Sequence, residues 1–165
     1  MTVEEKRILN AQRRNAVRNA WKNEQMLVEQ GKGTRNWTVE EQKELLENGH
    51  ISGYEGHHMK SVSEYQEFAG NANNIQFLTH DEHINGAHQG NTHSLTNGYY
   101  NVETQSMEQF ENNELGERPT YDLSNTVSQS SSYEQSESYE LQEDYSSDNT
   151  YSNDYEADNS YESGE

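Results

Sequence analysis

The sequence predicts a small α+β domain with helices leading into it and a disordered acidic C-terminal tail. Three observations carry that prediction: apolar residues at helical spacing near the start, a short alternating run at 74–79, and a change of composition near residue 101. The length, 165 residues, suits one compact domain with appendages. Only 28% of residues are hydrophobic, so roughly a third or more of the chain is expected to lack a packed core.

Residues 4 to about 30 read as a helix, with Ile8, Leu9, Ala16, Val17, Ala20, Trp21 and Leu27 near helical spacing and Arg7, Arg13, Arg14, Arg18 and Lys22 between them. Gly31 and Gly33 end it. The resulting segment, 1–35, is a basic amphipathic helix. Its cations, Arg14 and Arg18 among them, either lie along a phosphate backbone or form an ordinary solvated face.

Thr38 followed by Glu41 is a capping box, which starts a second short helix running through Leu46. Gly49, Gly53 and Gly56 then break the helical pattern into turns that deliver Glu55, His57 and His58. Ser63 and Gln66 predict a further capped turn through Phe68. Residues 74–79 alternate like a short strand, and 81–88 return to helix-compatible types.

From 101 onward Ser, Asn, Glu, Asp and Tyr dominate, a composition expected to form no core. Residues 101–165 carry 1 Lys/Arg against 17 Asp/Glu, whereas residues 1–100 carry 10 against 13. The formal charge of -19 therefore belongs mainly to the tail and does not exclude a nucleic-acid partner for the rest. The tail reads either as a solvating segment or as a polyanion that mimics DNA, binds a partner or serves as an export address.

There is no cysteine, so any metal must be held by histidine or oxygen ligands. The first twenty residues contain no continuous apolar run and no stretch is long enough to span a membrane. The expectation is a protein of the cytoplasm, or one exported by a non-Sec route to act in the cytoplasm of a target cell.

All seven histidines fall between His50 and His93. Hydrolysis of a phosphodiester at one metal needs neutral imidazole or carboxylate ligands, an open coordination position and a separate base for water. Neighbours such as His57 and His58 on a strand point to opposite sides, so one can bind metal while the other addresses water. A helix after the strand can present His83 inward with a second histidine one turn later, the plan of a ββα-metal site.

Tyr54-Glu55-Gly56-His57-His58, Asn74-Ile75, Glu82-His83 and His88-Gln89-Gly90-Asn91 together resemble the GHH-type HNH/Endo VII superfamily nuclease toxins, related in motif to the nuclease colicins. The similarity extends from about residue 10 to 100, and it identifies 36–100 as an HNH-type (His-Me finger) domain. It implies that His57 and His83 are metal ligands, His58 the general base, and Asn74 the residue that orients it. Glu55 matches a functional acid. The resemblance further implies one divalent metal ion (Mg, Mn, Ni or Zn), DNA as substrate with RNA as a second class, a bacterial toxin role and an immunity protein as partner.

The family's last ligand stands four residues after the one matched by His83, but here His88 stands five residues on. Five residues of α-helix turn through about 500°, which would place the two side chains about 140° apart. A bulge or early helix end at Gly86 would return His88 to the cluster; otherwise water or His80 takes the position. Lys60 either steadies a phosphate or is a plain surface lysine. The rival reading of the whole is a non-catalytic, metal-stabilised nucleic-acid-binding or interaction module, in which the same imidazoles close around zinc.

Overall fold

A computed structural model describes residues 1–111, 113–123 and 126. The described residues fold as helices and three small antiparallel sheets, an α+β arrangement. Helix α1 spans Val3–Glu29 and begins at a reciprocal pair in which Thr2 and Glu5 satisfy each other's backbone amides. It ends where Gly31 turns left-handed at φ +78°. Helix α2, Val39–Asn48, starts at the expected Thr38/Glu41 box and stops at Gly49, also left-handed.

Strand β2 (Tyr54–His58) pairs antiparallel with β3 (Ile75–Thr79), so that His57 faces Gln76 and His58 faces Ile75 across the ladder. Strands β4 (Gly98–Asn101) and β5 (Ser106–Gln109) form a hairpin. Gln76 joins it to β3 by bonding both backbone groups of Tyr100, donating at 2.6 Å and accepting at 3.0 Å. The expected capped turn at Ser63 is instead one 3₁₀ turn, Gln66–Phe68, preceded by Tyr65 and without a side-chain cap.

α1 is an integral wall of the domain rather than a lead-in. Ala16, Val17, Ala20, Trp21 and Val28 pack with Trp37, Leu45, Leu46, Ile51, Ile75 and Phe77. Trp21 stacks on Phe77 at 3.7 Å and 20°. Val17 seats directly on the backbone of Gly56, where a Cβ would come within 2.8 Å of both its methyls. Ile8, counted among the apolar positions of the helix, is 53% exposed, while Glu24 is buried and accepts from Thr34 and the Trp37 indole. Burial pushes the Glu24 carboxyl up, against those hydrogen bonds and the charge of Arg118.

Folded structure continues past residue 101, where composition alone places the start of the tail. Strand β6 (Tyr121–Asp122) pairs with β1 (Lys32–Gly33), Leu123 enters the main core, and the Arg118 guanidinium donates to Ile75 O. These contacts come from residues widely separated in sequence, which composition does not register. A chain ending at Glu111 should lose about 2–4 kcal/mol relative to one ending at Thr126, from one buried leucine and the half-buried arginine bond to Ile75 O. Equal urea midpoints for the two would refute that. The expected disorder of the remaining tail lies outside the described residues.

Candidate metal centre

β2 ends in His57 and His58, and β3 runs straight into the helical turn that carries His83. Thr79 and Glu82 begin that turn with reciprocal bonds, Thr79 N–H to Glu82 at 2.8 Å and Glu82 N–H to Thr79 Oγ1 at 3.2 Å. Arg35 clamps Glu82 from outside with two bonds of 2.8 and 3.2 Å, reaches Phe77 O, and lies over the Tyr54 ring at 4.8 Å. The Thr79-x-x-Glu82 pattern is visible in sequence; the Arg35 clamp is not.

From Glu82 to Ala87 the turn is π-helical. The His88 amide bonds His83 O at 3.0 Å, so the residue five positions on, not four, returns to the face of His83. The anomalous spacing is thus accommodated by a wider turn, the bulge that brings His88 back. Gly86 permits it, because a Cβ there would meet the Tyr100 ring at 2.6 Å. Gly86→Ala is expected to cost about 1–3 kcal/mol by overpacking and to weaken metal binding. Unchanged urea stability and unchanged zinc affinity would show that the close approach of Tyr100 is not needed.

His57, His83 and His88 form one cluster, their rings 4.8, 5.2 and 5.0 Å apart pairwise. One nitrogen from each lies within 4.8 Å of the others, a group that can hold a metal ion. The three are 2%, 4% and 5% exposed. His83 donates Nδ1–H to Glu55 at 2.8 Å and His88 donates Nδ1–H to Ser94 O at 2.9 Å, which leaves the lone pair of each ring on Nε2. His57 Nε2 is buried with no hydrogen-bond partner. Burial first, then the neighbouring His83, His88 and His58, holds the His57 imidazole well below its ordinary value and therefore neutral. Imidazoles whose second nitrogen is tied to oxygen, beside the buried Nε2 of His57, suit a divalent metal.

Glu55 touches His83 and, at 2.8 Å on its other oxygen, the exposed His80. Burial raises its carboxyl, but the bonds from His83 and His80 outweigh that and leave it below the usual range. His80 therefore stands outside the trio, behind Glu55. His58 points away from His57, with Nε2–H donated to Ala69 O at 3.1 Å, so the basic lone pair is on Nδ1. Asn74 is fully buried, but its amide meets the Lys60 backbone, accepting from N at 2.8 Å and donating to O at 3.1 Å, and not the His58 ring.

Lys60 is not a surface residue: it is 0% exposed, its ammonium lying 4.3 Å from the centroid of the Tyr65 ring and donating to Asn97 at 2.7 Å. Arg14 and Arg18 are half-buried on α1, beside the Val17 that seats on Gly56, and Arg18 donates to Asn15 at 3.3 Å. Sequence reasoning passed over the carbonyls of Ala69 and Ser94, which set two of the ring tautomers; backbone oxygens leave no mark in a motif.

Residues 3–79 match the family model of the GHH signature containing HNH/Endo VII superfamily nuclease toxins. That stretch includes Glu55, His57, His58 and Asn74 and stops short of His83 and His88, whose place in the site rests on geometry. Relatives are animal proteins: Teneurin-3 of Mus musculus is 45% identical over 85 residues, 50% of this chain and 3% of its own length. Teneurin-1 of Homo sapiens is 40% identical over 84 residues, 49% of this chain and 3% of its own, and Teneurin-m of Drosophila melanogaster 36% over 75 residues, 45% and 3%. The chain thus spans only a small fraction of the length of the relatives it matches. On its motif and on the family model alike, the segment from α1 through β3 is similar to the GHH-signature nuclease toxins of the HNH/Endo VII superfamily.

Proposed function

We propose that the chain is a divalent-metal-dependent endonuclease with a ββα-metal centre, acting on DNA and, as a second class, on RNA. The observation that carries the proposal is the closure of His57, His83 and His88 into one cluster by the π turn, next in sequence to a histidine whose tautomer suits a base. Held by His57, His83 and His88, a divalent ion would supply positive charge for the scissile phosphate and the departing 3′ oxygen.

The protein's own groups do the rest. His58, held by Ala69 O, takes a proton from water at Nδ1; the water oxygen attacks phosphorus, the bond to the 3′ oxygen breaks, and a 5′-phosphate remains. Glu55 and Ser94 O keep the His83 and His88 rings turned so that Nε2 faces inward. Arg14 and Arg18 serve as contacts to the phosphate backbone, which carries no sequence information. A toxin role inside a target cell, with an immunity protein as its counterpart, belongs to the same proposal.

The near-complete burial of the trio favours a second reading, a closed metal site that only stabilises the fold. Plasmid cleavage after chelation, with Mg²⁺, Mn²⁺, Ni²⁺ or Zn²⁺ restored singly and His88→Ala run alongside, separates the two. The nuclease reading expects nicking that returns with metal and is lost in His88→Ala. Metal that raises the melting temperature without cleavage of DNA or RNA would establish the structural site instead.

A further inference from the structure

Lys60 stands two residues beyond His58, in a place where an apolar side chain would be expected. Its ammonium lies 4.3 Å from the Tyr65 ring centroid, 5.5 Å from that of Phe110 and 5.7 Å from that of Phe68, besides its bond to Asn97. These partners come from three separate segments. Tyr65 and Phe68 belong to the turn that ends in Ala69, whose carbonyl holds His58. Asn97 closes the loop that carries Ser94, whose carbonyl holds His88. Phe110 follows β5, and its amide bonds Asn97 O at 2.9 Å.

The backbone around Lys60 reinforces the same junction. Asn74 grips both its amide and its carbonyl, Ser61 and Thr96 exchange bonds, and Gly98 N–H reaches Met59 O at 3.2 Å. We infer that Lys60 is a positioning residue: its buried ammonium, boxed by Tyr65, Phe68 and Phe110 and bonded to Asn97, locks together the two loops whose carbonyls orient His58 and His88. The physical reason for a cation is reach in several directions. An ammonium attracts three ring faces and donates to an amide oxygen at once, whereas a methyl group fills the space without fixing any of them.

The consequence for activity rests on the nuclease reading, but the inference concerns the two rings and has readouts of its own. Lys60→Met keeps the volume and removes the ammonium; Asn97→Ala keeps the ammonium and removes its acceptor. Each is compared with the full chain for Co²⁺ affinity, followed by visible absorption, and for imidazole tautomers, followed by long-range ¹H–¹⁵N spectra. Both variants are expected to bind Co²⁺ about 10–100-fold more weakly, the size typical of lost orienting contacts, and to show mixed tautomers at His58 and His88. Lys60→Arg should recover part of the loss.

Well-folded Lys60→Met and Asn97→Ala with wild-type Co²⁺ affinity and single tautomers would overturn the inference. Should Lys60→Met fail to fold, Asn97→Ala decides. Absence of cleavage by the unmodified protein would defeat the nuclease reading, while the affinity and the tautomers would still decide the role of Lys60.

Discussion

His58→Ala should lower metal-dependent cleavage by about 10²–10⁴-fold, the usual contribution of a positioned general base, while leaving Co²⁺ affinity close to that of the unmodified protein. The argument is geometric. His58 is not in the cluster of His57, His83 and His88, and its Nε2–H is committed to Ala69 O, so the lone pair of its ring is on the buried Nδ1. Removing it takes away proton transfer and spares the ligands. A His58→Ala protein that cleaves at the unmodified rate would show that water is activated elsewhere. Equal loss of cleavage and metal affinity would make His58 part of the metal site and would break the division of labour between the two adjacent histidines.

Trp21→Ala should cost about 3–5 kcal/mol, the range for truncating a large buried aromatic. Domains of this kind are usually stable by only about 5–15 kcal/mol, so the loss should be a large fraction of the total stability. Trp21 is fully buried, stacks on Phe77 of β3, and lies 6.4 Å from the Trp37 ring. β3 in turn leads into the turn that bears His83, so loss of this contact should loosen the metal centre as well as the core. Urea unfolding measures the first effect and zinc affinity in residual folded protein the second. A change below about 1 kcal/mol, the scale of a surface substitution, would mean that α1 is an appendage after all.

The elements that could be read beforehand are those specified locally. α2 follows from Thr38 and Glu41, three residues apart, and from the glycine that stops it; β3 follows from alternation over a few positions. α1 was legible as a helix, yet its role was not: the seating of Val17 on Gly56 joins residues 39 positions apart, and only packing makes the glycine of the GHH motif a steric requirement. The burial of Lys60 is not legible in the sequence, because charge ordinarily signals solvent and nothing near it announces that Phe110 and Asn97 will lie against it.

By itself, the sequence determined α1, α2, the strand β3, the resemblance to the nuclease toxins and the oddity of five residues between His83 and His88. Those properties depend on neighbours a few residues apart, through capping, alternation and motif. Only the tertiary structure decided that His88 joins the cluster, that Glu55 and Ser94 O orient its rings, and that the fold continues to Leu123. Whether a five-residue interval forms a regular turn or a π turn is settled by what packs against it, and here that is Tyr100 seated on Gly86.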